Sequence, residues 1–228
     1  MQTTFAKKII DFNNNLSGTF KLPPEFEVLN PFKDLEETDW VMQQFYNKYY
    51  NDTQTRKLIL GINPSRNGAG VTGIPFTDTK RLDAVCDIKM QSARTHETSS
   101  VFMYDMIAAY GGATKFYSKY FINSPFPLAI IRKNAHGKWI NANYYDDARL
   151  LDALAPYMVR VLKTYINMGI DTNSVVALGL KNAKFIRELN NKYGLFKEIS
   201  ALEHPRFIQQ YKSKEKDVYI AKYLNLLD

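Results

Sequence analysis

Three short apolar runs, KLILGI (57–62), PLAIIRK (127–133) and SVVALGL (174–180), constrain this chain most. The first is a near-continuous apolar strand of the kind buried on both faces, and the other two read the same way. Helical patterns separate them, and LFKEISALEH (195–204) ends the strand set. Strands alternating with helices predict an α/β fold: a three-layer α/β/α sandwich around a mostly parallel, about four-stranded central sheet. In such sheets the ligand sits at the carboxyl ends of the strands. The loop at 63–78 and the segment at His204 both leave strand ends, so they are candidates to meet.

The helical signals vary in clarity. Residues 3–16 carry Phe5, Ile9, Ile10 and Leu16 at roughly helical spacing before Gly18. KLPPEFEVLNPF (21–32) reads as a connector punctuated by prolines. From Asp39, an N-cap candidate, WVMQQFYNKYY reads as an amphipathic helix. SSVFMYDMIAAY (99–110) fits strand or helix, ended by Gly111 and Gly112. Residues 114–120 suggest a short helix, and HGKWINANYY (136–145) a turn with a short extended piece. Asp146 to Asn167 is the clearest helix: Leu150, Leu151, Leu154, Met158, Val161, Leu162 and Tyr165 form one stripe. Pro156 is expected to kink it and Gly169 to follow its end. Asn182 is the expected cap of AKFIRELNNKY, which Gly194 ends, and a helix over 214–226 closes the chain. The 228 residues are expected to form a single domain (1–228), with residues 1–50 as an N-terminal helical extension of an α/β core over 51–228.

Composition narrows the chemistry. Cys86 is the single cysteine, so no internal disulfide and no four-cysteine metal site forms within one chain. His96, His136 and His204 lack metal-ligand spacing, so neither a metal nor another cofactor is expected. No apolar run approaches the ~20 residues a membrane span needs. The start, MQTTFAKKIIDFNNN, lacks a secretory pattern, and a cytoplasmic monomer is expected. A net charge of +7 permits a polyanionic partner without demanding one.

One motif suggests a nucleotide. GAGVTG (68–73) satisfies the dinucleotide pattern G-x-G-x-x-G behind a strand. That pattern needs its first glycine at the strand end and a helix by its third. Here the strand ends near Gly61, seven residues early, and Pro75 pushes Ile74 out of helical geometry. No G-K-[ST] follows, so a P-loop fails too. The glycines still call for positive φ or close approach to a ligand.

The whole stretch GINPSRNGAGVTGIPF (61–76) resembles the first motif of the uracil-DNA glycosylase superfamily. The nearest branch is the single-strand-selective monofunctional one, with G-M-N-P-G followed by T-G-V-P-F. FINSPFPL (121–128) resembles that branch's F-x-N-x-x-P-L segment, with an Asn just before a strand. EHPRF (203–207) resembles its H-P-S motif, and VVALG (175–179) the strand before it. The resemblance covers about residues 56–210 and extends to a bacterial second subtype that shares an N-terminal region.

The resemblance implies hydrolysis of the bond between a damaged base, uracil above all, and its sugar, in base-excision repair. The nucleotide would be flipped out of single- or double-stranded DNA. Asn63 would orient a water toward the sugar C1′. Asn123 would read the uracil edge, presenting an acceptor and a donor to N3–H and O4. His204 would donate a hydrogen bond to O2 as charge develops on the leaving base. Phe76 would stack on the base, with Gly61 and Ile62 lining the pocket. Ser65, Gly68 and Gly70 would pass close to base or phosphate, and Arg206, Phe207 and Ile208 would wedge into the duplex. The stretch after them, with Tyr211, Lys212, Lys214 and Lys216, could track phosphates. Ser65 stands where relatives carry Gly, and Arg206 replaces the Ser of H-P-S. Two other readings stay open: a catalytically silent nucleic-acid-binding relative and a small-molecule nucleotide binder.

Overall fold

The computed structural model describes residues 2–228. Helix α1 (Phe5–Asn14), capped by the Thr4 side chain, is followed by strand β1 (Phe26–Leu29) and helices α2 (Pro31–Asp34) and α3 (Glu36–Tyr50). Strand β2 (Arg56–Leu60) leads into a loop that holds the four-residue helix α4 (Ala69–Thr72). Helices α5 (Thr79–Ala84), α6 (Thr98–Ala109) and α7 (Ala113–Lys119) precede strands β3 (Tyr120–Asn123), β4 (Ala129–Lys133) and β5 (Trp139–Ala142). The long helix α8 (Ala148–Gly169), strand β6 (Ile170–Leu178), helix α9 (Leu180–Tyr193) and strand β7 (Glu198–Leu202) complete the sheet region. Helix α10 (Pro205–Tyr211), a 3-10 turn and helix α11 (Lys216–Leu227) end the chain.

The central sheet is parallel, in the order β3-β2-β6-β7, with helices flanking it. Its register aligns the carboxyl ends. Leu60 faces Asn123 on one side and Ala177 on the other, and Leu178 faces Leu202. The ladder then continues one residue past the strands: Gly61 N–H donates to the Asn123 carbonyl (2.8 Å) and Gly179 N–H to the Leu202 carbonyl (2.7 Å). This alignment brings Gly61, Asn123, Gly179 and His204 to one edge of the sheet.

Several sequence expectations are corrected. PLAIIRK is a buried strand, but β4 belongs to a separate antiparallel sheet, β1-β4-β5. The fourth parallel strand is instead FIN with the preceding Tyr120, so Asn123 ends a strand as well as preceding one. The connector at 21–32 contains β1 and α2. Helix α3 begins at Glu36, three residues before Asp39. The ambiguous 99–110 stretch is the helix α6. Asn182 caps nothing: helix α9 starts at Leu180 behind Gly179, and Asn182 lies buried inside it.

The N-terminal region is woven into the core. Phe5 meets Phe121 of β3 edge-on at 5.1 Å and stacks on Tyr50 at 5.7 Å. The fully buried Arg56 guanidinium lies over both the Phe5 and Tyr50 rings. It donates to the Asp52 carboxylate (2.5 and 2.8 Å) and to the carbonyls of Gln54 and Tyr117. A charge so buried is tolerable because its donors are satisfied and its flat faces rest on aromatic rings.

Candidate active site

A cavity of about 200 Å³ opens at the carboxyl edge of the parallel sheet. Of the residues expected at a site, Gly61, Ile62, Asn63, Ser65, Phe76, Asn123, His204 and Arg206 line it. Gly68, Gly70, Phe207 and Ile208 do not. Ile208 is fully buried in α10, so the expectation that it wedges into DNA is corrected: it is a core residue. Phe207 is 42% exposed on the same helix. The loop glycines also differ from expectation. Gly70 N–H donates to the Ser65 carbonyl, and a Cβ there would sit 2.4 Å from that oxygen. The close approach is to the chain itself. Within 68–73 only Gly73, at φ +70°, requires the left-handed region.

Asn63 follows the end of β2 and is pinned by the β5 side. Its amide NH2 donates to the carbonyls of Ala142 (3.0 Å) and Pro64 (3.3 Å), and its Oδ1 accepts from Tyr144 N–H (3.0 Å). Both donor hydrogens are used, and one lone pair on Oδ1 stays available to a water. Asn123 is buried at the end of β3. Its Oδ1 accepts from Ser124 N–H at 2.8 Å, which fixes the amide plane, while its NH2 group has no protein acceptor among the described residues.

His204 is the N-cap of α10, and its Nδ1 accepts from Arg206 N–H at 3.2 Å. Nδ1 is therefore unprotonated, and in the neutral ring the proton sits on Nε2. Desolvation first, and the Arg206 charge second, push its pKa down to about 4. The ring is neutral at physiological pH and presents an N–H donor. Phe76 adopts φ +54°, unusual for a bulky residue and worth ~1–3 kcal/mol of local strain. Its ring lies against Gly61, where a Cβ would be only 3.0 Å from Cε2, and tilts toward the His204 ring, with centroids 5.7 Å apart.

The structure adds residues to the site that no motif marked. Glu97, Ser99, Ser124, Asn141 and Asn143 also line the cavity. Asn182, beneath it, donates to the carbonyls of Leu60, Gly61 and Leu178 and accepts from Tyr144 O–H at 2.6 Å. One amide thus joins the ends of β2 and β6 to the turn that holds Asn63. No spacing rule reaches these residues, because their partners are distant in sequence. An Asn at the third position of a helix behind a glycine was the available hint for Asn182.

A parallel sheet with a neutral histidine and two fixed amides around one cavity at its carboxyl edge defines the class. The chain belongs to the Uracil DNA glycosylase superfamily, whose sequence model matches residues 47–228. It is accordingly a glycosylase-type hydrolase. The chain is similar to the crystal structure of wild-type SMUG2 from Pedobacter heparinus, at 48% identity and a TM-score of 0.95. That similarity covers 99% of this chain and 97% of the other, so the region before residue 47 is shared. No curated protein sequence matches the chain. Among the described residues, no helix is long and apolar enough to cross a membrane.

Proposed function

We propose that this protein is a monofunctional DNA glycosylase that hydrolyses the N-glycosidic bond of uracil in DNA, leaving an abasic site for base-excision repair. The observation that carries the reading is the pair of free donors, the Asn123 NH2 and the His204 Nε2–H, facing one small cavity. Uracil offers O4 as acceptor beside N3–H as donor. The Asn123 NH2 suits O4, and the second lone pair of its Oδ1 suits N3–H. Cytosine reverses both groups. With the amide plane fixed by Ser124 N–H, cytosine would leave buried polar groups unpaired, a loss of several kcal/mol.

The chemistry follows from these positions. As the C1′–N1 bond lengthens, its electron pair moves onto the base and charge gathers on O2. The His204 Nε2–H donates to that oxygen, and no proton transfer is required. A water that donates a hydrogen bond to Asn63 Oδ1 attacks the cation-like C1′, forming the C1′–O bond and releasing its proton to bulk water, while the departed uracil anion is protonated from solvent. Phe76 supplies a flat face for the extruded base. No lysine lines the cavity among the described residues, which supports water rather than an amine as the nucleophile. Arg206 and the exposed Phe207 stand at the start of α10, where they would fill the duplex gap or meet phosphates.

The test is base release from an oligonucleotide carrying one uracil. Alkali-labile sites should form with wild-type protein, in single- or double-stranded DNA, and strand breaks should be absent without alkali. DNA binding with no base release would instead support a silent relative.

A further inference from the structure

We propose that Glu97 is the anion of this active site: its carboxylate stabilises the cation-like sugar while the base departs. The proposal rests on the glycosylase reading and adds a charged residue to it. Glu97 is the one acidic side chain lining the cavity among the described residues. The other groups there are neutral amides, a neutral imidazole and Arg206, whose positive charge opposes a sugar cation. A cavity of this volume is roughly 7 Å across, so a carboxylate in its wall lies within strong Coulombic reach of any sugar seated there.

The carboxylate is held in place. Glu97 immediately precedes α6, and its backbone N–H donates to the fully buried Asp78 carboxylate at 2.7 Å. Ser65 Oγ donates to Glu97 Oε1 at 3.0 Å. Behind it, Gly68 carries no side chain, and a Cβ there would lie 2.1 Å from Oε2. The Ser65 and Gly68 of the glycine-bearing loop thus form a seat for a carboxylate, which gives that loop a purpose the nucleotide pattern did not. Burial raises the Glu97 pKa above the ordinary glutamate value, Ser65, Ser99 and Arg206 oppose the rise, and Asp78 adds to it. A partly desolvated anion is costly to keep, and its field on a nearby cation is correspondingly strong. The neutral Asn63 brings no charge of its own to the reaction, and Glu97 supplies it.

The test is single-turnover base release as a function of pH, with enzyme in excess over a uracil oligonucleotide. Wild-type activity should fall on acidification with a midpoint above the ordinary glutamate range, as Glu97 is neutralised. Glu97→Gln should lose on the order of 10²-fold in the single-turnover rate constant with the half-saturating enzyme concentration unchanged or lower, and should lose that acid limb. Glu97→Asp should keep the limb and part of the rate. Ser65→Ala removes a donor to the carboxylate, so it should move the limb to higher pH, and this arm stands if Glu97→Gln does not fold. Wild-type rate in Glu97→Gln, or an acid limb unmoved by Ser65→Ala, overturns the proposal while leaving the glycosylase reading intact. A wild-type protein that releases no base overturns both.

Discussion

Among single residues, the atoms left free to touch a base decide what each side chain can do. His204 has its Nδ1 engaged by Arg206 N–H, and only Nε2 remains to donate. His204→Ala should therefore lower kcat by on the order of 10²–10³-fold with little change in DNA affinity, read by single-turnover kinetics. The same residue leaves a mark on stability. Its pKa falls from an ordinary 6.5 to about 4 in the folded protein, so the unfolded chain binds the extra proton first. Stability contributed by the neutral ring is then present above the unfolded value and drains away as pH falls from 6.5 through about 4. Denaturant titrations of wild type and His204→Asn at both ends of that window should show a loss of ~1–3 kcal/mol in wild type that the variant lacks. Asn123 tests recognition. Asn123→Asp replaces a donor with an acceptor opposite uracil O4 and should abolish most uracil release, while Asn123→Ala should lose discrimination against cytosine along with rate. Asn63, Asn123 and His204 were legible because each sits in a motif at a strand end. Glu97 was not, since its partners Ser65 and Gly68 lie about 30 residues away and only the folded loop brings them together.

At the scale of elements, the parallel sheet is what makes the site. Its register sets the ends of β2, β3, β6 and β7 level, and Asn182 ties two of those ends to the β5–α8 turn. Asn182→Ala would strand buried carbonyls and the Tyr144 hydroxyl. It should cost about 2–4 kcal/mol in a denaturant melt and should slow catalysis as well, because Tyr144 N–H holds Asn63. Strands β2 and β6 were readable from their apolar runs, and β7 from its place at the end of the strand set. β3 was not, because its four residues continue directly from α7 and carry no turn signal between them. β4 has the stronger strand sequence, and an apolar run reports burial without reporting which sheet buries it. Helix α8 was legible because its stripe is long, but it runs from Ala148 to Gly169 with Pro156 inside, so Gly169 is its last residue rather than the one that follows its end.

For the whole molecule, the notion of an N-terminal extension gives way to a shared core. Phe5, Ala6 and Ile9 are almost fully buried, and the Arg56 guanidinium is roofed by Phe5. Removing residues 1–15 would uncover Tyr50, Phe121 and that charge together. The truncated chain should lose cooperative unfolding or fail to accumulate as soluble protein, where a dispensable extension would leave the melting temperature unchanged. The helical pattern of this segment was legible, but its packing against β3 was not, because amphipathicity states that a face is buried and leaves its partner unnamed. The fold, the family and the cavity support the proposed excision of uracil, and one measurement bears on it most directly. A time course with an oligonucleotide containing a single uracil, treated with alkali at each point, should show cleavage at that position alone, none without alkali, and none with the matching cytosine. Uracil left intact under enzyme excess, in both single- and double-stranded DNA, would contradict the assignment.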